Sequence, residues 1–264
     1  VLPDGRRRYS HRAVVARRAL LVGIVAAGTG VSALATRIGG SDDTVAAAGA
    51  DPAVQDPVAA VAETAPAPPA PPAHSLSEAA SPWVIVNKQH PIAPLEYAPQ
   101  LVTVGGKEVA VAAAADLEAL LAAAEGDGVS LTVTSGFRSL AHQRSVHDSA
   151  VARDGVETAE SVSARPGYSE HQTGLAVDFS GSSQPGCLLE NCFGQTPESA
   201  WLVTHGGRFG FHLRYPEGKT DVTGYAAEPW HWRWVGTDLV AQMAARGVVT
   251  MEEFFGVSGG TTYA

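Results

Sequence analysis

In YSEHQTGLAVDFS, residues Tyr168–Ser180, a turn signal leads into an alternating apolar pattern. After the turn signal Thr173-Gly174, Leu175, Val177 and Phe179 alternate with Ala176, Asp178 and Ser180. That period of two predicts a strand with one apolar face. Asp178 then projects from the opposite face, beside Ala176 and Ser180. A carboxylate buried or half-buried on a strand needs a compensating partner, and a cation serves. His171, seven residues earlier and delivered by the preceding loop, can share that cation. One His and one Asp are too few for a metal site, so the rest of the chain must supply a third ligand and a base.

EPWHWRW, residues 228–234, has both. On an extended strand Trp230, Trp232 and Trp234 share one face, while His231 and Arg233 share the other. With the Trp face in the core, His231 looks outward, like Asp178, and can be the third ligand. Pro229 disfavours helical backbone at Glu228. Glu228 therefore sits in the turn before the strand, from where it can reach towards a metal held by His231. A zinc with His, Asp and His ligands keeps a fourth position for water, and a nearby carboxylate can take a proton from that water. Each signal is weak alone, since a lone strand His more often makes a hydrogen bond or faces solvent. Their coincidence is what carries weight.

The 264-residue chain is long enough for one or two domains. Its first 18 residues hold six arginines against Asp4, and an uncharged apolar run follows from Ala19 to Ala35, ending Ala-Leu-Ala. Basic, apolar, then small residues is the order of a secretory signal peptide; a retained membrane anchor is the alternative, because the run is near the lower limit of a span. Without residues 1–35, 12 basic and 26 acidic residues remain, a net charge of −14. That argues against nucleic-acid binding, which needs a positive footprint. Residues 36–80 are rich in Ala and Pro, with APAPPAPPA at 65–73, and read as a spacer without a core. Cys187 and Cys192, in CLLENC, are expected to form a local disulfide; the second short-spaced pair that a metal site would need is absent.

Order is expected from about residue 81 to 257, with 258–264 as a tail. WVIVNK at 83–88 is a strand candidate. Val109–Glu125 is rich in Ala and Leu and predicts a helix stopping at Gly126-Asp127-Gly128. Val129–Thr134 predicts a strand running into SGFRS, residues 135–139. Ser139 caps a helix reaching about Arg153. Ser161–Gly167 reads as a loop. Thr196-Pro197 opens another helix, and Phe209–Leu213 and Glu228–Val235 are further strands. Short helices follow over Asp238–Ala245 and Met251–Phe255. This pattern makes the chain α+β.

SGFRSLAHQ, SEHQTGLAVDFS and EPWHWRWVG resemble the three signature motifs of the VanY-type D-alanyl-D-alanine carboxypeptidases. That zinc peptidase group also holds D-Ala-D-Ala dipeptidases and the Hedgehog signalling domain. VNKQHPIAPLEYAP at 86–99 resembles the family's entry segment, so the likeness covers about Trp83 to Gly256. It implies a small antiparallel sheet flanked by helices. It implies one zinc per chain on His171, Asp178 and His231, with Glu228 as catalytic base. Arg138 matches an arginine that binds substrate or stabilises developing charge, and Gln143 and Ser169 match residues beside the substrate. The residues themselves allow the same for Arg138, whose fork suits a carboxylate, although a surface ion pair fits too. The insert around CLLENC departs from the family pattern at the rim of the cleft. The implied activity is removal of the C-terminal D-Ala from peptidoglycan stem peptides, outside the cytoplasm, by a monomer touching the membrane only through an uncleaved N-terminal segment. An L,D-carboxypeptidase or cell-wall endopeptidase on the same scaffold is the first alternative. A zinc-bearing binding module without turnover is the second, and Glu228 speaks against it.

Overall fold

The computed structural model describes residues 73–264. The expected signal or anchor, and most of the expected spacer, lie outside the described residues. Six strands and seven helices follow in order. β1 (Leu101–Val104) and β2 (Lys107–Ala110) form an antiparallel hairpin. Gly105 and Gly106 make its two-residue turn, both at positive φ, the geometry that matches strand twist and that glycine adopts without strain. Then come α1 (Val111–Gly126), β3 (Leu131–Ser135), α2 (Leu140–Asp154) and α3 (Val156–Val162). After these run β4 (Ala176–Gly181), α4 (Pro197–His205), β5 (Phe211–Leu213) and α5 (Thr220–Thr223). The last are β6 (His231–Trp234), α6 (Thr237–Ala245) and α7 (Met251–Phe255).

The central sheet is antiparallel, in the order β3-β4-β6-β5. One face carries Val133, Val177, Phe179, Phe211 and Trp232, packed against Leu117, Leu120 and Ala124 of α1 and Leu202 of α4. Trp230 and Trp234 border the same core, and the indole of Trp234 donates to Asp116 of α1 at 2.8 Å. Fully burying one such side chain is worth roughly 1.5–3 kcal/mol, so this layer fixes which face of each strand turns the other way. Asp178, His231 and Arg233 are on that other face.

Several expectations differ from the structure. The face bearing His231 does not look outward: His231, Asp178 and Arg233 are all buried. A second layer covers them. Trp83–Val86, expected as a strand, is buried coil. The carbonyls of Pro82 and Val84 accept from the Arg233 guanidinium, so they satisfy an arginine rather than a sheet ladder. The packed domain extends back to Leu76, whose carbonyl accepts from Ile85 N–H and whose side chain joins the Trp83 cluster. Part of Ser161–Gly167 continues a helix, α3. The expected caps are present: the Ser139 hydroxyl accepts from His142 N–H, and that of Thr196 from Ser199 N–H.

Candidate active site

Three elements meet on the covered face of the sheet. β4 and β6 pair with Asp178 directly opposite His231, the cross-strand relation in which side chains touch. His171 lies in a 3-10 turn, Glu170–Thr173, that leads into β4. Gly174 makes this entry possible. Its φ is +69°, and a Cβ there would stand 2.9 Å from both the Ala110 nitrogen and Pro99 Cγ. Arg138 follows β3, past a register shift between Val133 and Ser135. Arg138 N–H donates to the His171 carbonyl at 3.1 Å, which ties the two segments together.

His171 Nδ1 lies 2.7 Å from the Gly136 carbonyl. Donation there puts the proton on Nδ1 and leaves Nε2 free as a ligand atom. Nε2 stands 3.3 Å from Asp178 Oδ2, and His231 Nδ1 stands 3.2 Å from Asp178 Oδ1. A tetrahedral ion with bonds of about 2.0–2.1 Å has ligand–ligand edges of about 3.4 Å, so both separations suit one. His171 Nε2 and Asp178 Oδ1 are buried and make no hydrogen bond. Two imidazoles and a carboxylate are the donor chemistry zinc takes. Among the described residues these three form the one cluster able to hold a metal, with ligand atoms within 4.8 Å of one another. The residues fit the ion.

Charges around the cluster are strongly coupled. Burial alone lowers the His231 pKa, but Asp178 and Glu170 outweigh it and carry it up to about 9. Burial lowers His171 to about 4, helped by Arg138 and opposed by Asp178. Burial raises Glu228 to about 7, against the pull of His231. Glu228 Oε2 lies 3.6 Å from His231 Nδ1, so the carboxylate stands beside the cluster. Its backbone is pinned on both sides: Glu228 N–H donates to the Tyr215 carbonyl, and His231 N–H to the Glu228 carbonyl.

Arg138 Nη1 donates to Gln143 Oε1 at 2.9 Å, and Gln143 Nε2 donates to the Ala164 carbonyl at 2.7 Å. Both ends of the Gln143 amide are engaged within the protein, so it orients Arg138. Arg138 Nε is buried without a partner. Ser169 is buried, and with Arg138, His171, Tyr215, Glu228 and His231 it lines a cavity of about 40 Å³. That is room for about three or four waters, at roughly 10–15 Å³ of such volume each. A larger concavity of about 780 Å³, between β1, α1 and β3, has none of these groups. Chemistry, not volume, marks the smaller one as the site.

Sequence reasoning missed the charges behind the three candidate ligands. Glu170 Oε2 is 3.6 Å from His231 Nε2, too long for a hydrogen bond but within ion-pair range. Arg214 Nε donates to Glu170 Oε1 at 2.8 Å, and Arg233 Nη1 is 3.3 Å from the same oxygen. Arg214 also forks onto Glu252 of α7 at 2.9 and 2.7 Å. All four side chains are buried. Burial pushes the Glu170 pKa up, but the two guanidiniums win and hold it well below the usual carboxylate range. At 3.6 Å the Glu170 carboxylate acts on His231 through its charge. CLLENC is closed by a Cys187–Cys192 disulfide.

The family model of the VanY D-alanyl-D-alanine carboxypeptidases matches residues 106–237. The chain belongs to the VanY family. The putative carboxypeptidase YodJ of Bacillus subtilis is 40% identical over 143 residues, covering 54% of this chain and 52% of that one. The chain thus spans about half the length of that relative. Among solved structures, the LdcB LD-carboxypeptidase is 35% identical with a TM-score of 0.61, covering 67% of this chain and 87% of that one. A vancomycin-resistance D,D-pentapeptidase VanY, in complex with Zn(II), is 34% identical with a TM-score of 0.57, covering 65% and 97%. The VanY fold of these relatives is the α+β arrangement seen here, and the Zn(II) complex supports zinc as the metal.

Proposed function

We propose that this protein is a zinc-dependent carboxypeptidase that removes the C-terminal D-Ala from peptidoglycan stem peptides. The observation that carries the reading is the convergence of His171 Nε2, Asp178 and His231 Nδ1, with the Glu228 carboxylate alongside. One zinc per chain, held by these three residues, supplies a Lewis acid and an acidified water at neutral pH. Glu228, pushed up to about 7 by burial, accepts a proton from the attacking water and returns it to the leaving amine. Arg138 presents its guanidinium into the same cavity and holds the substrate carboxylate or the negative charge that develops. Gln143 keeps Arg138 in place, and Ser169 lines the cavity beside the substrate backbone.

In this reading residues 1–35 are a signal or anchor and 36 to about 75 a spacer ahead of the enzyme domain, which acts as a monomer outside the cytoplasm. Among the described residues no helix is long and apolar enough to cross a membrane. A second reading, an L,D-carboxypeptidase, is favoured by the likeness to LdcB. One experiment tests both. Zinc-loaded protein is incubated with pentapeptide and with tetrapeptide stems, and the released amino acid is identified. Release of D-Ala from the pentapeptide supports the first reading, and release from the tetrapeptide alone supports the second. No release from either removes both.

A further inference from the structure

One wall of the cavity is built by residues the proposed mechanism does not use. Tyr225 lines the cavity and is buried, and its hydroxyl donates to the Tyr168 carbonyl at 3.4 Å. Tyr225, Tyr215 and Ala164 form a small apolar cluster with Tyr168 against it. Behind this wall runs Ser258–Tyr263, which the sequence presents as a tail. It is bonded along its length to residues 87–89: Asn87 Nδ2 donates to the Ser258 carbonyl at 3.3 Å, Lys88 Nζ to that of Thr261 at 3.3 Å, and Gln89 Nε2 to that of Thr262 at 2.6 Å.

Two contacts bring this segment onto the wall itself. Its backbone packs directly against the turn that carries Tyr225. A Cβ at Gly224 would overlap the Gly260 carbonyl, and one at Gly259 would overlap the Val222 carbonyl. Only glycine lets the two chains approach so closely. The Tyr263 ring then meets the Tyr168 ring edge-on, centroids 4.9 Å apart, with the Arg165 guanidinium 4.2 Å from its centroid. Its hydroxyl accepts from Arg165 N–H at 3.0 Å. The Lys88 ammonium, buried, lies 4.8 Å from the Tyr225 centroid and 5.4 Å from that of Tyr263. Ring faces stabilise a desolvated cation in this way.

We infer that Ser258–Tyr263 is a strap that sets the position of Tyr225 and so the fit of the substrate, with Tyr263 as a positioning residue for substrate binding. This rests on the reading of the cavity as the substrate site. The strap's link to His231 is indirect and runs through two rings, Tyr225 to Tyr215 at 5.2 Å and Tyr215 to His231 at 4.7 Å between centroids. Its loss therefore acts first on binding.

The test uses the full zinc-loaded chain and Y263A. KM for the pentapeptide rises roughly three- to tenfold, the worth of lost aromatic contacts. The turnover number stays within about twofold, as for a lost ground-state interaction, and zinc content is unchanged. Y263F keeps the ring contacts and recovers most of the KM. If Y263A does not fold, Y263L, which keeps bulk without a ring face, is measured in its place. An unchanged KM, or a fall in turnover alone, overturns the strap. Peptide affinity is measured in parallel on E228Q with and without Y263A. If the parent hydrolyses nothing and Y263A still weakens that affinity, the strap stands and the proposed activity falls. If the affinity does not move, the strap falls.

Discussion

Replacing Glu170 with Gln keeps the volume of the side chain and removes one charge from a buried set of four. Arg214 and Arg233 are balanced there by Glu170 and Glu252. In E170Q one positive charge is left uncompensated, and His231 loses one of the carboxylates that carry its pKa up. Breaking a buried pair by removing one partner costs about 3–5 kcal/mol. For a domain of this size each kcal/mol moves the melting temperature by roughly 2–4 °C, so the metal-free variant melts roughly 6–20 °C lower. The pH dependence has a definite sign. The Glu170 pKa is depressed in the folded state, so its contribution is fully present above the ordinary carboxylate pKa. It is lost as pH falls through the folded value. Glu170's own share of the gap is therefore steady above about pH 5 and narrows in acid, where the unfolded carboxylate of about 4.3 begins to protonate; the share it contributes by raising His231 is full below about 6.5 and fades as pH rises towards 9. Zinc affinity also falls, by roughly 10–100-fold for a lost outer partner of a ligating histidine. Metal-free thermal unfolding and competition against a chelator measure the two effects separately. A melting temperature within about 2 °C of the parent, with equal zinc affinity, would refute the account of this network.

Zinc uptake should release protons: His231, at about 9, is charged at pH 7.5 while His171, at about 4, is not, so calorimetry in buffers of different ionisation enthalpy should find about one proton leaving His231 per zinc. No release would mean that His231 is already neutral before zinc binds, and full zinc occupancy in H231A would contradict its assignment as a ligand. G174A should lose more than about 1 kcal/mol in urea unfolding, since left-handed backbone alone costs an alanine roughly 1–2 kcal/mol and its Cβ meets Ala110 and Pro99; parent-like stability would mean that the turn relaxes freely. Natively exported protein should titrate no free thiol, because Cys187 and Cys192 are bonded, and reduction should cost less than the roughly 3 kcal/mol of a 15-residue loop.

The strands that carry the site were legible because their alternation is strict. Leu175–Ser180 and Trp230–Trp234 each place apolar residues on one face, and the core layer takes that face. Alternation put Asp178 and His231 on one face; adding His171 and Glu228 rested on the turns at Gly174 and Pro229 and on the likeness to the VanY motifs. What lies behind them was not legible. Glu170 beside a histidine reads as a solvent-facing charge, yet its partner Arg214 is 44 residues away, and Glu252 lies 38 residues beyond that. No local period reports a contact made through the tertiary fold. The covered state of His231 was hidden for the same reason: Pro82 and Val84, about 150 residues away, supply the cover through Arg233. The hairpin was available and overlooked. Gly105-Gly106 between Leu101-Val-Thr-Val and Lys107-Glu-Val-Ala is a two-residue turn signal, masked by the alanine run of the following helix.

In the proposed reaction Glu228 serves as the base beside a zinc held by His171, Asp178 and His231. D-Ala release from the pentapeptide by zinc-loaded parent and E228Q, at equal and verified zinc content, tests it most directly. Glutamine keeps the size of the side chain and cannot accept the proton. General-base catalysis contributes roughly 10²–10⁴-fold. The account predicts that E228Q keeps its zinc and its fold and loses at least about two orders of magnitude in turnover. Hydrolysis by E228Q at the parent rate would contradict it.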